Sequence, residues 1–327
     1  MHVKQLIFDD FAYYIFIYFV YTFYIYLFIL RIYTVNILFI FLQYFVYFVL
    51  HFANTSSIMY ISYKQSIEGK IMKTYTFAIQ KGGTGKTSVS VSVAVELAKH
   101  GRTILIDADP QGNTTDWMNL PSLQYELSDV LSDKCTIKDV IQPTQVENLF
   151  IIPTAGIDGG LRTYQETVAQ KEQFKLAQLK NELANVFDYC IIDTSPAFGA
   201  LEESCFIASD EVINVLKLDR FSYDGLKTFK VNLDAMKKRY DNCYGVSVNG
   251  KPFLNKLILN ENNNAIAQCR DLVAQYKALE PSGYKVFVIP TDTGFRKAQT
   301  TSVPVQAIAG AKKDTLESLE EIAQALK

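Results

Sequence analysis

Residues 72–327 predict an α/β protein built on a doubly wound, mostly parallel sheet, with an apolar N-terminal extension ahead of it. Three observations carry that reading. Short β-prone runs alternate with helical runs along the whole stretch, the pattern of parallel strands joined by crossover helices. A β-prone run at 74–79 leads into Gln80-Lys81-Gly82-Gly83-Thr84-Gly85-Lys86-Thr87-Ser88, which opens a helical run at 87–100. Strand, glycine loop and helix in that order make a phosphate-binding unit. Two later strands end in acidic residues, where open α/β sheets bind ligands.

The elements follow in order. Val89, Val93 and Leu97 give the first helix an inward face. An apolar strand at 102–106 runs into Asp107-Ala108-Asp109-Pro110-Gln111-Gly112-Asn113, where Pro110 and Gly112 turn the chain back over the site. A short strand is predicted at 149–153 and a helix at 165–185. The run Phe187-Asp188-Tyr189-Cys190-Ile191-Ile192 reads as a buried strand delivering Asp193 at its end. A strand at 211–218 precedes a helix at 222–240, whose Leu226, Phe229, Leu233, Met236 and Tyr240 line one face. Strands at 256–259 and 285–289 follow. The last helix, 314–326, places Asp314 as N-cap with Glu317 three residues on.

The chemistry belongs to a nucleotide. Gly82, Gly83 and Gly85 let the backbone curl so that N–H groups point at phosphate oxygens, and the helix N-terminus adds a favourable dipole. Thr84 and Ser88 complete that cradle. Lys86 reaches the β- and γ-phosphates of ATP, and the Thr87 hydroxyl ligates Mg²⁺. Of the two carboxylates at 107 and 109, one can hold the Mg²⁺ shell while the other orients the attacking water. Asp193 has the position of a Walker B acid, which holds Mg²⁺ through water. Two features depart from the commonest loop: Gln80 stands where a first glycine would be, and Lys81 adds a second cation.

Taken together, the segments 81–87 (KGGTGKT), 107–113 (DADPQGN) and 191–196 (IIDTSP) resemble the ParA/MinD superfamily of deviant-Walker-A ATPases, and its ParA (Soj-like) partition branch in particular. The resemblance covers essentially all of 72–327. It implies that Lys81 crosses an ATP-sandwich homodimer to the partner's nucleotide. It implies that Asp109 serves hydrolysis, with Asp107 and Asp193 near Mg²⁺, and that Asn260 and the segment after Pro290 lie near the adenine. The family's slow ATPase cycle switches a DNA-bound dimer to a free monomer, stimulated by a ParB-type centromere-binding partner. This places the protein in the cytoplasm, on the nucleoid.

The match weakens at the DNA surface. Partition ATPases commonly carry arginines at positions matching 262 and 291, where this chain has Asn262 and Thr291. Substitutes are Arg296 and Lys297, or Lys227, Lys230, Lys237, Lys238 and Arg239 on the outer side of the 222–240 helix. The formal net charge is −2, so no global positive field draws the chain to nucleic acid and a local patch has to do so. The alternative activity is a MinD-like membrane-associated positioning ATPase. It expects a basic amphipathic C-terminus, but Glu317, Glu320 and Glu321 occupy that helix. A tyrosine-kinase reading lacks the terminal tyrosine cluster, the last tyrosine being Tyr284. An iron–sulfur reading lacks cysteines in glycine-rich settings. The five scattered cysteines include no C-x-x-C pair and read as reduced thiols.

Residues 1–71 differ in kind. Between Asp10 and Lys64 the only formal charge is Arg31, and no glycine precedes Gly69. The stretches 11–30 and 32–52 are each long enough to span a bilayer, at about 20 residues per crossing. A membrane anchor through 11–52 would leave the lysines at 64, 70 and 73 on the cytoplasmic side. Against this, the two stretches meet at Arg31 with no turn residue, and they hold hardly any of the small residues that pack helix on helix. Glu68-Gly69-Lys70 back-translates to a purine-rich sequence suited to ribosome binding just ahead of Met72. The favoured reading is therefore a start assigned too far upstream, with the protein beginning at Met72. Mass analysis of the native N-terminus is expected to yield no peptide from within residues 1–60, and one such peptide refutes this.

Overall fold

The computed structural model describes residues 17–23, 71–219, 221–244 and 253–327. The chain divides into two units, Met1–Gly69 and Lys70–Lys327. In the first, residues 17–23 are helical, and the rest of the predicted spans at 11–30 and 32–52 lies outside the described residues. Among the described residues no helix is long and apolar enough to cross a membrane.

The second unit is a sheet covered on both faces. Its strands are β1 (Lys73–Ala78), β2 (Thr103–Ala108), β3 (Gln142–Pro143), β4 (Leu149–Ile152), β5 (Tyr189–Thr194), β6 (Glu211–Lys217), β7 (Phe253–Asn262) and β8 (Lys285–Pro290). They lie in the order β3-β4-β2-β5-β1-β6-β7-β8. All neighbours are parallel except β3, which pairs antiparallel to β4 at the edge through Gln142 and Pro143. An edge is where a proline, lacking an N–H, is tolerated. Strands covered on both sides need apolar residues in both directions, and these have them. Leu105, Ile191, Ile213 and Ile258 face one helix layer, while Ile104, Ile106, Cys190 and Ile192 face the other.

The described residues of the second unit form eleven α-helices: α1 (Lys86–Ala98), α2 (Asn113–Met118), α3 (Leu127–Leu131), α4 (Ile137–Val140), α5 (Leu161–Thr167), α6 (Lys175–Leu183), α7 (Ala200–Ala208), α8 (Ser222–Tyr244), α9 (Ala267–Lys277), α10 (Gly294–Thr301) and α11 (Lys313–Leu326). The predicted helix at 165–185 is two helices, α5 and α6, broken between Val168 and Phe174. The last helix begins at Lys313, so Asp314 sits in its first turn and not at the cap. The N-cap position is Lys312, with no side-chain cap bond. Asp314 still suits its place, since a carboxylate in the first turn favours the helix dipole.

A larger difference concerns α1. Three inward residues were expected, yet 12 of its 13 residues are buried. The outer side is covered by α11, whose Leu319, Ile322, Ala323 and Leu326 join the same core. The Tyr75 hydroxyl donates to the Leu326 carbonyl at 2.5 Å and ties the chain's end to the central strand. A Val/Ser/Ala helix has modest intrinsic propensity. Packing between two layers therefore holds it, and its small side chains are what fit there.

On the other face α8 lays Leu226, Phe229, Leu233, Met236 and Tyr240 against the sheet, as expected. Phe229 meets Phe206 at 5.7 Å and Phe198 at 5.4 Å between ring centroids, in edge-to-face contacts. Phe206 is fully buried in that trio. Phe206→Ala is expected to lower the unfolding free energy by about 3–5 kcal/mol, read as a drop in the urea midpoint at unchanged slope.

Candidate functional site

The glycine loop joins β1 to α1. Gly83 has φ +70° and Gly85 φ +82°, both in the left-handed region that disfavours a side chain. A Cβ on Gly85 would also overlap the Asn260 amide. On Gly82 or Gly83 it would meet nothing within 4 Å, because these positions border open space. That space is a cleft of about 620 Å³ lined by residues 81–88 and Asp109, among others. α1 starts with no side-chain cap and no acid in its first turn, so its leading N–H groups are left for an anion.

Two carboxylates sit beneath the loop. Parallel register places Asp107 of β2 beside Asp193 of β5, so their neighbourhood follows from strand pairing. Asp193 is fully buried. Its Oδ2 accepts from Thr87 Oγ1 at 2.7 Å and Thr114 Oγ1 at 2.8 Å. Its Oδ1 accepts no hydrogen bond among the described residues, and the Lys86 ammonium stands 3.5 Å away. Lys86 itself donates to the Thr194 carbonyl. Asp107 is equally buried, and burial pushes its pKa up to about 8. Hydrogen bonds from Thr115 oppose that rise, and the Asp193 charge adds to it. Both Thr115 donors are close, N–H at 2.8 Å and Oγ1 at 2.7 Å. Asp109 lies just beyond β2 at the cleft. Burial raises its carboxyl, against the Gln111 N–H hydrogen bond and the charge of Lys86, which strengthens it as an acceptor for a proton from water.

The remaining predicted residues fall close by. Lys81 borders the cleft, and its ammonium is held within the protomer by Asp219 and, at 3.5 Å, by Ser222. Burial alone would raise the Asp219 carboxyl, but the hydrogen bonds from Lys81, Phe221 N–H and Ser222 hold it below the usual range. Asn260 donates its amide to the Thr84 carbonyl at 2.9 Å, bracing the loop. Pro290 ends β8 opposite Asn262. Thr84 Oγ1 is buried without a hydrogen-bond partner among the described residues.

Sequence reasoning missed Thr114, Thr115, Asp219 and Gln299. The first two follow Asn113 directly, and a Thr–Thr pair after an acidic turn was the available signal. The others come from distant segments and left none. Among the basic residues proposed for DNA, three on α8 are paired: Lys227 to Asp224 at 3.6 Å, Lys230 to Asp234 at 2.6 Å and Arg239 to Glu203 at 2.6 Å. Arg296 and Lys297 on α10 are exposed and form no ion pair among the described residues.

The donor set fits a magnesium nucleotide. There is a loop with room for phosphates, an orphaned Thr84 hydroxyl, a buried Asp193 oxygen without a hydrogen bond, and a threonine hydroxyl on that same carboxylate. Among the described residues no group of three or more His, Cys, Asp or Glu forms a metal cluster. Mg²⁺ suits such a place, since it keeps water and phosphate oxygens beside one or two carboxylates.

Fold and site together define an α/β P-loop protein. A family model described as an AAA domain matches residues 72–244, more than half the chain, and the chain belongs to that family. The chromosome-partitioning ATPase Soj of Treponema pallidum is 35% identical over 155 residues, 47% of this chain and 60% of its own length. The sporulation initiation inhibitor protein Soj of Bacillus subtilis is 35% identical over 151 residues, 45% and 59% respectively. The chain thus spans about three fifths of the length of these curated relatives. In fold it is similar to Cyanothece McdA, solved as a variant's complex with ATP, at TM-score 0.67 and 22% identity over 79% of this chain and 97% of that one.

Thr115 Oγ1 also accepts from the Thr154 N–H at 2.8 Å. Thr115→Val strips one donor from Asp107 and orphans that amide. The expected cost is about 1–3 kcal/mol of stability, measured by urea unfolding.

Proposed function

We propose that residues 72–327 are a Mg²⁺-dependent ATP hydrolase that segregates a plasmid, chromosome or mobile element, working as an ATP-sandwich homodimer. The observation that carries this is the convergence of Lys86, Thr87, Asp107 and Asp193 beneath an open glycine loop, with Lys81 and Asp109 at its mouth. In this reading the N–H groups of residues 82–88 hold the phosphates and Lys86 neutralises the terminal ones. Thr87, Asp107 and Asp193 hold Mg²⁺, which supplies charge stabilisation to the phosphates. Asp109 orients the attacking water, and Lys81 serves the partner's nucleotide. Asn260 and Pro290 bound the adenine end, Asn260 by fixing the loop.

The cycle is slow and stimulated by a ParB-type partner, and the ATP-bound dimer sits on non-specific DNA at the nucleoid in the cytoplasm. Arg296 and Lys297, without ion pairs among the described residues, support a DNA contact on α10 better than the paired Lys227, Lys230 and Arg239 do. The MinD-like alternative gains nothing from the C-terminus. The apolar face of α11 is packed in the core against α1, and its outer face is acidic.

Three variants test this by nucleotide binding, turnover and ATP-dependent DNA retention. Lys86→Ala is expected to abolish Mg·ATP binding. Asp109→Ala should bind ATP yet hydrolyse it about 10²-fold more slowly. Lys81→Ala should bind ATP without forming the dimer. Wild-type-like ATP affinity in Lys86→Ala overturns the reading. DNA affinity should fall steeply with salt and ignore sequence. Retention undiminished in salt of about 0.5 M contradicts a phosphate-contact mode.

A further inference from the structure

We propose that Gln299 is a nucleotide-positioning residue, aiming the Ser88 hydroxyl at the phosphate nearest the nucleoside. The inference rests on the nucleotide reading above and deepens it. Gln299 sits on α10, far along the chain from the glycine loop, yet both it and Ser88 line the cleft. Its Nε2–H donates to Ser88 Oγ at 3.1 Å.

The direction of that bond decides the chemistry. A serine hydroxyl has one proton to donate and lone pairs to accept with. Ser88 Oγ accepts from Gln299, so its own proton must go elsewhere, and no acceptor for it is present among the described residues. Ser88 is largely buried, 8% exposed, and stands one residue past Thr87, inside the first turn of α1 where the free N–H groups gather. A hydroxyl held this way offers a donor to an anion in the cleft. Lys86 and Thr87 address the outer phosphates, so the donor one residue further along the helix meets the phosphate closer to the nucleoside. That phosphate persists in ADP, so Gln299 supports binding of substrate and product alike.

The segment after Gln299 is itself anchored. Val303 accepts from Trp117 Nε1 at 2.9 Å. Gln306 donates to the Ser92 carbonyl at 2.9 Å and to Glu96 at 3.0 Å. Residues 299–306 are therefore tied to α1 at Gln299 and Gln306 and to α2 at Val303, and Gln299 faces the cleft beside Ser302.

The test is a double-mutant cycle on dissociation constants for Mg·ATP and Mg·ADP, by calorimetry on the full chain. Gln299→Ala is expected to weaken both nucleotides by about three- to tenfold, the worth of one oriented hydrogen bond. Gln299→Glu should weaken them more than alanine does. A carboxylate cannot donate to Ser88, draws its proton away from the phosphate, and adds negative charge. In a Ser88→Ala background, Gln299→Ala should have no further effect. Gln299 is exposed, so unfolding midpoints without nucleotide check that each variant folds. Two results overturn the role of Gln299 while leaving the site intact: Gln299→Glu binding as tightly as wild type, or additive losses from Ser88→Ala and Gln299→Ala. A wild-type protein that binds neither nucleotide overturns the site reading itself, and this proposal with it.

Discussion

A single buried carboxylate organises the nucleotide end of this fold. Asp193 is delivered to the middle of the sheet by β5 and excluded from solvent, where an uncompensated charge is costly. Its compensation comes from two segments: Lys86 and Thr87 at the start of α1, and Thr114 in α2. Each of these ties a different loop to the same strand end. Removing the carboxylate would strand a buried ammonium whose other hydrogen-bond partner among the described residues is the Thr194 carbonyl. The shape of the glycine loop is thus a consequence of satisfying one charge in the interior, and the phosphate site is the open side of that arrangement.

The second carboxylate shows the opposite solution. Asp107 lies beside Asp193 by strand register and is equally buried, but the two donors of Thr115 hold it, and it forms no ion pair among the described residues. Burial and the neighbouring charge push its pKa to about 8. Two acids on neighbouring inner strands are thus given different partners, a cation and two hydroxyls for Asp193 and the donors of Thr115 for Asp107. A divalent cation placed beside Asp107 would favour its charged form.

The alternation of strands and helices, the glycine loop and the acids at 107, 109 and 193 were legible in the sequence, because each is a local pattern: apolar run, turn, charge. The full burial of α1 was not legible. Its 3.6-residue periodicity marks one apolar face, and the second covering layer comes from α11, more than 200 residues later. The break between α5 and α6 was missed because residues 168–174 keep helical composition without a strong breaker. The N-cap at Asp314 failed by two positions, as helix starts without a capping side chain do. Lys81 was legible as an anomaly, but its protomer partner Asp219 was not, since contact between them depends on the whole β6–α8 turn.

That partner bears on how a dimer can form. The Lys81 and Asp219 side chains are 30% and 33% exposed, and an ion pair so open to water is worth about 0–1 kcal/mol. The dimer proposed above requires Lys81 to exchange this carboxylate for the partner's phosphates. A weak, solvated pair makes that exchange cheap, and a polyphosphate carries more charge than one carboxylate. Losing the terminal phosphate reduces that charge, so the balance shifts back towards Asp219. Lys81 is therefore placed where its choice of partner can follow the nucleotide's charge, while Lys86 is buried against Asp193.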